Sequence, residues 1–350
     1  MGDDMASDDF RLGDAPGTGA APRGRVTIDD VARAAGVSRQ TVSNVVRARG
    51  RVGSDTRLRV LRTIEEVGYR PHAGASSMRS HRTRRIGHPM PSSELTHDNL
   101  LMVEFLQALV GAAGDRSHQL LLARDGEDHG SVRDLVRSGS VDGFILADMV
   151  ARDTRARVLT AVGVPFACFG RTEPDLPQTW TDIDNRSAAR TVTELLLARG
   201  HRRVAFLGFG NDTYWDRERE SGYREAMSAA GLEARSLLCS TDSSAAAAAI
   251  DSALETSRPP SAFVSGSDSL AALVYSVAAR RGLRIGEDLA VTGFDGGVMS
   301  RLLTPTLTTV VIPVELIAER LLDRVLREID GPTSEPGEMV DVSVREGGSA

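Results

Sequence analysis

A short stretch near the N-terminus holds several side chains able to hydrogen-bond nucleic acid. Arg39, Gln40 and Asn44 fall within one short stretch. A guanidinium can take O6 and N7 of guanine through parallel N–H bonds, and a carboxamide can pair with N6 and N7 of adenine. Around them, Thr27, Ser38, Thr41, Ser43 and Arg47 supply hydroxyl and guanidinium donors suited to phosphate oxygens, which position without specifying. Bond-making chemistry is not signalled. No Walker loop and no paired Cys or His metal spacing occurs, and Gly208-Phe209-Gly210 is too short for a dinucleotide fingerprint. Neither a cofactor nor a metal is expected.

Two short amphipathic helices are needed to present the first set. Thr27 can cap the first of them, with Asp30 in the position that reaches back to the cap. Ile28, Val31, Ala32 and Ala35 recur at helical spacing and predict one apolar face. Gly36 permits a tight turn, Ser38 is a second N-cap, and Thr41, Val42 and Val45 follow on the second helix. This pattern describes a helix-turn-helix, whose second helix lies in a DNA major groove. A third helix is expected from a Ser54 cap to Val67, stopped by Gly68.

Charge agrees. Residues 25–85 hold fourteen arginines against five acids, a net +9, inside a chain of net −6, so the remainder carries −15. A basic head on an acidic body is the electrostatic footprint of a nucleic-acid module attached to something else. All 42 basic residues are Arg, and the two cysteines, Cys168 and Cys239, are far apart beside apolar residues, which predicts buried free thiols. No apolar run approaches a membrane span and the N-terminus lacks a signal-peptide core, so a cytoplasmic protein with no membrane partner is expected. Residues 1–24, rich in Gly, Ala, Asp and Pro, read as a disordered leader, or as the product of a start placed ahead of a true one at Met5.

The run Thr27–Val46, followed by the junction Gly68-Tyr69-Arg70-Pro71, resembles the DNA-binding head of the lac-repressor/galactose-repressor family of transcription factors. The resemblance places base reading on Arg39, Gln40 and Asn44. It identifies Pro71-His72-Ala73-Gly74-Ala75-Ser76-Ser77-Met78 with the family's hinge helix, where Ala75 and Met78 take the minor-groove positions and Arg82 and Arg84 track phosphates. Methionine stands where the family has a wedging leucine, and His72, Gly74 and Ser76 depart from its pattern, so a hinge that folds only on DNA is expected.

Beyond Arg85 the sequence alternates strand and helix. Strands are expected at 119–123, 143–147, 166–169, 204–208, 262–265 and 290–293, with helices at 100–113, 187–199, 218–230 and 269–281. Val141-Asp142-Gly143-Phe144, Gly200-His201-Arg202-Arg203 and Leu303-Thr304-Pro305-Thr306 extend the resemblance to about residue 345. It implies a two-lobed, periplasmic-binding-protein-like α/β body of doubly wound parallel sheets, with an effector cleft between the lobes. The expected division is a leader (1–24), an all-α helix-turn-helix head (25–70), hinge and linker (71–85), an effector-binding and dimerisation body (86–345) and a tail (346–350). Ile86-Gly87-His88-Pro89-Met90-Pro91 fits poorly, because two prolines argue against an ordinary central strand.

The resemblance assigns effector contacts to Arg219, in Arg219-Glu220-Ser221-Gly222-Tyr223, and to Asp295. Ser267 and Asp268 follow a strand end, where open α/β lobes bind ligands. Trp215 is placed to stack on a sugar ring or simply to pack, and His97, Asp98 and Asn99 face from the other lobe. Asp184, Asp268 and Asp295 serve equally well as helix caps. The implied function is a dimeric repressor that binds double-stranded, near-palindromic operator DNA and is released by a small polar effector, a sugar first. An activator or corepressed regulator is the alternative; a doubly wound enzyme and a solute-binding protein are more distant ones, opposed by the head.

Overall fold

The computed structural model describes residues 26–46, 50–69, 82–91, 100–126, 129–172, 174–211, 213–239, 243–331 and 337–350. The expected leader, Arg47, the hinge positions Ala75 and Met78, and His97, Asp98 and Asn99 lie outside these residues. The chain forms two compact units, 1–81 and 82–350.

In the first unit, α1 (Ile28–Ala35), α2 (Arg39–Val46) and α3 (Ser54–Val67) pack Val31, Ala32, Ala35, Val42, Val45 and Val60 into a small core. A reciprocal capping box opens α1: the Thr27 hydroxyl accepts from Asp30 N at 3.3 Å, and the Asp30 carboxylate accepts from Thr27 N at 2.9 Å. Gly36 turns the chain with φ +63°. The Ser38 hydroxyl accepts from Thr41 N at 3.1 Å. One expected cap is corrected. Ser54 is the first helical residue, and the cap position is Gly53, which has no side chain to contribute.

The second unit contains two six-stranded sheets. The first holds β1 (Arg85–Pro91), β2 (Gln119–Asp125), β3 (Gly143–Leu146), β4 (Phe166–Phe169), β5 (Thr179–Ile183) and β11 (Glu338–Val340), in the order β11-β5-β4-β3-β1-β2. The second holds β6 (Val204–Gly208), β7 (Arg235–Leu238), β8 (Ala262–Ser265), β9 (Ala290–Asp295), β10 (Thr308–Val311) and β12 (Ser343–Arg345), in the order β12-β10-β9-β8-β6-β7. Pairing is parallel except for β12 against β10. The crossover helices are α4 (Leu100–Asp115), α5 (Gly130–Arg137), α6 (Thr154–Val162), α7 (Asn185–Ala198), α8 (Tyr214–Ala229), α9 (Ser243–Leu254) and α10 (Asp268–Arg280), with short α11 (Val298–Leu302) and long α12 (Val314–Asp330) completing the set. The chain crosses between lobes after β5, after β10 and between β11 and β12. Continuous apolar strands such as β3 and β8 are buried along their whole length, as sheets covered on both faces require.

The prolines of β1 do not prevent a strand. Residues Arg85 to Pro91 pair in register with β2, from Arg85↔Gln119 to Pro91↔Asp125. On the other side, pairing with β3 stops after Gly87↔Phe144. Arg85 turns its carbonyl toward this side, to Asp142 N at 2.8 Å, so by strand alternation Pro89 and Pro91 do too. Their missing N–H groups therefore fall where the ladder has ended, and the β2 ladder loses nothing. The Ile145 carbonyl, which a residue other than proline at 89 would have bonded, instead meets His88 Nδ1 at 2.8 Å. His88 is fully enclosed, and burial lowers its pKa to about 4. Gly87 is needed for close approach, since a Cβ there would meet the Phe144 ring at 2.7 Å.

The C-terminal residues are likewise not a loose tail. Ser349 is buried, accepts from Thr308 N at 2.9 Å and donates to the Val291 carbonyl at 2.6 Å, tying the C-terminus to β10 and β9. The body also begins earlier than residue 86, because Arg82 and Thr83 are already bonded to it.

Candidate DNA-reading face and ligand cleft

On α2 the apolar Val42 and Val45 turn inward, leaving Arg39 and Gln40 exposed and Asn44 half-exposed. Gln40 Nε2 donates to Asn44 Oδ1 at 3.0 Å, and Arg39 lies 3.6 Å from Asp29. These are surface contacts worth little, so all three side chains can exchange them for base edges. The Ser38 and Thr41 hydroxyls stand 2.9 Å apart at the helix start. Ser43, expected to donate to phosphate, is buried, because it follows Val42 on the inward side. Arg82 has partners on the body. It donates to Asp330 Oδ1 at 2.5 Å and to the Ile329 carbonyl at 2.9 Å, although it is exposed, as Arg84 is.

In the body, Arg219 and Asp295 are brought together at the carboxyl ends of the second sheet's strands. Arg219, on α8, is 5% exposed. Its Nε donates to Asn185 Oδ1 at 2.8 Å and its Nη1 to the Gly266 carbonyl at 2.6 Å, with Asp295 Oδ1 at 3.9 Å. The guanidinium lies over the rings of Phe294 (3.6 Å) and Trp215 (4.6 Å). Burial lowers its pKa to about 10, against the opposing pull of Asp295, Asp216, Asp182 and Asp268. Asp295 ends β9 at φ +124°, and burial, followed by the neighbouring Asp268, raises its carboxyl well above the usual range.

Ser267 and Asp268 are committed largely to the lobe itself. Ser267 caps α10, accepting from Leu270 N at 3.1 Å. Asp268 accepts from Thr309 Oγ1 at 2.6 Å and from Gly296 N at 3.0 Å, while its own N–H donates to Asp295 Oδ2 at 3.3 Å. Burial raises its pKa to about 6. Asp184 is a plain helix cap, accepting from Ser187 N at 2.8 Å.

Several residues of the cleft had not been singled out in the sequence. Asp148, two residues past β3, accepts a hydrogen bond from the Trp215 side chain, and burial raises its pKa. Asp182 pairs with Arg171 at 2.9 Å, and Arg171 lies over Tyr214 (4.7 Å) and Trp180 (5.3 Å). Asn185 orients Arg219. Asp216 accepts from Gly210 N at 3.0 Å. The strand-end rule points to Asp148, because it follows the apolar run Gly143–Leu146; nothing in the local sequence marks Asn185. Across the cleft the lobes meet at Tyr214 N to the Met149 carbonyl (3.0 Å), at a Val150–Thr213 bridge, and at Val298 N to Glu104 (3.1 Å). An indole, a guanidinium and several carboxylates thus stand together where the two lobes meet. Among the described residues no group of His, Cys, Asp and Glu could hold a metal.

Comparison with known proteins places both units. The family described as bacterial regulatory proteins, lacI family, matches residues 27–72, and the periplasmic binding protein-like domain matches residues 193–350. The HTH-type transcriptional regulator CelR of Thermobifida fusca is 32% identical over 340 residues, 93% of this chain and 99% of its own. Catabolite control protein A of Priestia megaterium is 30% identical over 313 residues, 87% of this chain and 93% of its own. Among solved structures, a lac repressor dimer bound to operator and the anti-inducer ONPF superposes with a TM-score of 0.81 at 23% identity, covering 93% of this chain and 99% of its own, a likeness of fold. A CelR–cellobiose complex superposes with a TM-score of 0.69 at 28% identity, over 93% of this chain and all of its own. These relatives are regulators of transcription rather than enzymes. No helix among the described residues is long and apolar enough to cross a membrane.

Proposed function

Because the chain belongs to the lacI family of bacterial regulatory proteins, we propose that this DNA-binding transcriptional regulator is a homodimeric repressor of a near-palindromic operator, released by a sugar. It acts in the cytoplasm, where its DNA is. Arg39, Gln40 and Asn44 read bases, while Thr27, Ser38, Thr41 and Arg84 meet the backbone. One recognition helix covers too few bases to be specific, so two heads read two half-sites.

The observation that carries the effector reading is the enclosed set Arg219, Asp295, Trp215 and Asp148, held between groups of both lobes. A hydroxylated ring satisfies such a site: its hydroxyls donate to the carboxylates and accept from the guanidinium, and its C–H face stacks on the indole. The CelR relative holds cellobiose. The effector favours one lobe arrangement through its differential contacts, and that preference changes operator affinity.

The test begins with the full chain and a random duplex pool, from which an operator is selected. Operator binding is then titrated with a panel of mono- and disaccharides, cellobiose included. Release by one sugar, with operator weakening that sugar's binding by the same factor, is the expected result. Failure to select any duplex removes the DNA-binding role; selection without response to any sugar removes the sugar.

A further inference from the structure

The chain enters the body through a short, densely bonded segment. Asp142, immediately before β3, takes three donors from it. Its Oδ1 accepts from Thr83 N at 2.6 Å and Thr83 Oγ1 at 2.9 Å, and its Oδ2 accepts from Arg84 N at 2.6 Å. Thr83 Oγ1 in turn accepts from Arg85 N at 3.1 Å. One residue earlier, Arg82 is bonded to Asp330 and to the Ile329 carbonyl at the end of α12. Arg84 holds φ +56°, a conformation that a residue with a Cβ keeps only where its surroundings impose it. Bonds from backbone N–H to an ionised carboxylate are the strong kind, so this segment is fixed to the body rather than laid upon it.

The head is joined to the body covalently only through residue 82, so any displacement passed along the chain goes through this clamp. Asp142 also sits at one end of β3. Asp148, which faces the ligand cleft, lies just past the other end, and the strand between them is buried throughout. Asp142 and Asp148 thus flank the two ends of one short, fully buried strand.

We propose that Asp142 is a positioning residue for operator recognition: it fixes the point and direction in which each chain leaves the body, and so the half-site separation that a dimer reads. The proposal rests on the dimeric, DNA-reading function given above. Half-site spacing is a geometric property of such dimers, and a merely structural carboxylate would leave it unchanged.

The experiment uses the full chain. The wild-type protein first selects its half-site from random duplexes, and then binds a pool carrying two such half-sites separated by spacers of varied length. Wild type should enrich one spacer length. Asp142→Ala should enrich the same half-site with a broader spread of spacers, its preference for the best over the next falling by roughly tenfold, the factor that 1.4 kcal/mol represents. The double variant Thr83→Val/Asp330→Ala, which removes one bond to Asp142 and the Asp330 contact of Arg82 while leaving Asp142 in place, should broaden the spread in the same direction. A folded, dimeric Asp142→Ala with the wild-type spacer profile overturns the proposal. If Asp142→Ala does not fold, an unchanged profile in the double variant overturns it. A wild-type protein that selects single half-sites without spacer preference refutes the dimeric reading itself, and the proposal with it.

Discussion

Arg219 Nη1 stands 3.9 Å from Asp295 Oδ1 in a site where the arginine is almost wholly buried. The arginine answers four carboxylates, Asp295, Asp216, Asp182 and Asp268. Removing one partner of a buried ionic set leaves charge uncompensated. Arg219→Ala should cost about 3–5 kcal/mol of stability, read as a fall in the urea midpoint. Asp295→Asn should cost less at neutral pH, because the site already presses that carboxyl toward its neutral form.

Two buried groups give opposite pH slopes. Asp268 titrates at about 6 in the fold against 3.8 outside it, so its contribution is fully present below pH 3.8 and is lost as pH rises through about 6. His88 titrates at about 4 against 6.5, so its contribution is present above pH 6.5 and is lost as pH falls through about 4. The raised carboxyls of Asp148, Asp182, Asp216 and Asp295 act in the same direction as Asp268, so each variant is read against the wild-type slope. His88→Gln should shift that slope toward a steeper fall in stability with rising pH, and Asp268→Asn should shift it the other way. A parallel response of both variants would contradict the assignments.

Base reading separates from backbone contact by its sequence dependence. Gln40→Ala or Asn44→Ala should cost roughly 1–3 kcal/mol of discrimination at particular base pairs. Arg84→Ala should weaken cognate and random duplexes alike and flatten the salt dependence. Competition binding at several salt concentrations distinguishes the two.

The capping box gives a stability test confined to the head. Thr27→Ala removes the acceptor for Asp30 N, and Asp30→Ala the acceptor for Thr27 N. Each should lower the head's stability by about 1 kcal/mol. The double variant should lose less than the sum, since the two bonds support one another. Ser54→Ala should change little, because Ser54 caps nothing.

What was legible in the sequence was what is local. The α1 capping box, the glycine turn, and apolar runs such as Val204–Gly208 and Ala262–Ser265 announce themselves within a few residues, and each forms where expected. Pairing partners were not legible. The prolines of β1 are harmless only because strand alternation turns both toward a ladder that ends at Gly87, and because an imidazole reaches the carbonyl left over. Ser43 looks like a phosphate donor until packing buries it, and nothing local shows that Arg82 meets Asp330. In the cleft, Arg219 and Asp295 carry motifs that mark them in the sequence, and the fold brings them to 3.9 Å of one another. Asp148 and Asn185 join them only when segments distant in the chain meet.

The two cysteines offer a different use of the fold. Cys168 lies on β4 in the first sheet and Cys239 just beyond β7 in the second, both buried, and burial pushes both thiols up. The thiolate is the nucleophile that attacks an alkylating reagent, so neither sulfur should react while its lobe stays shut. Each lobe thus carries its own built-in clock. Timed alkylation, followed by peptide mass analysis, would record how often each lobe opens, with and without a bound sugar, and needs no introduced label.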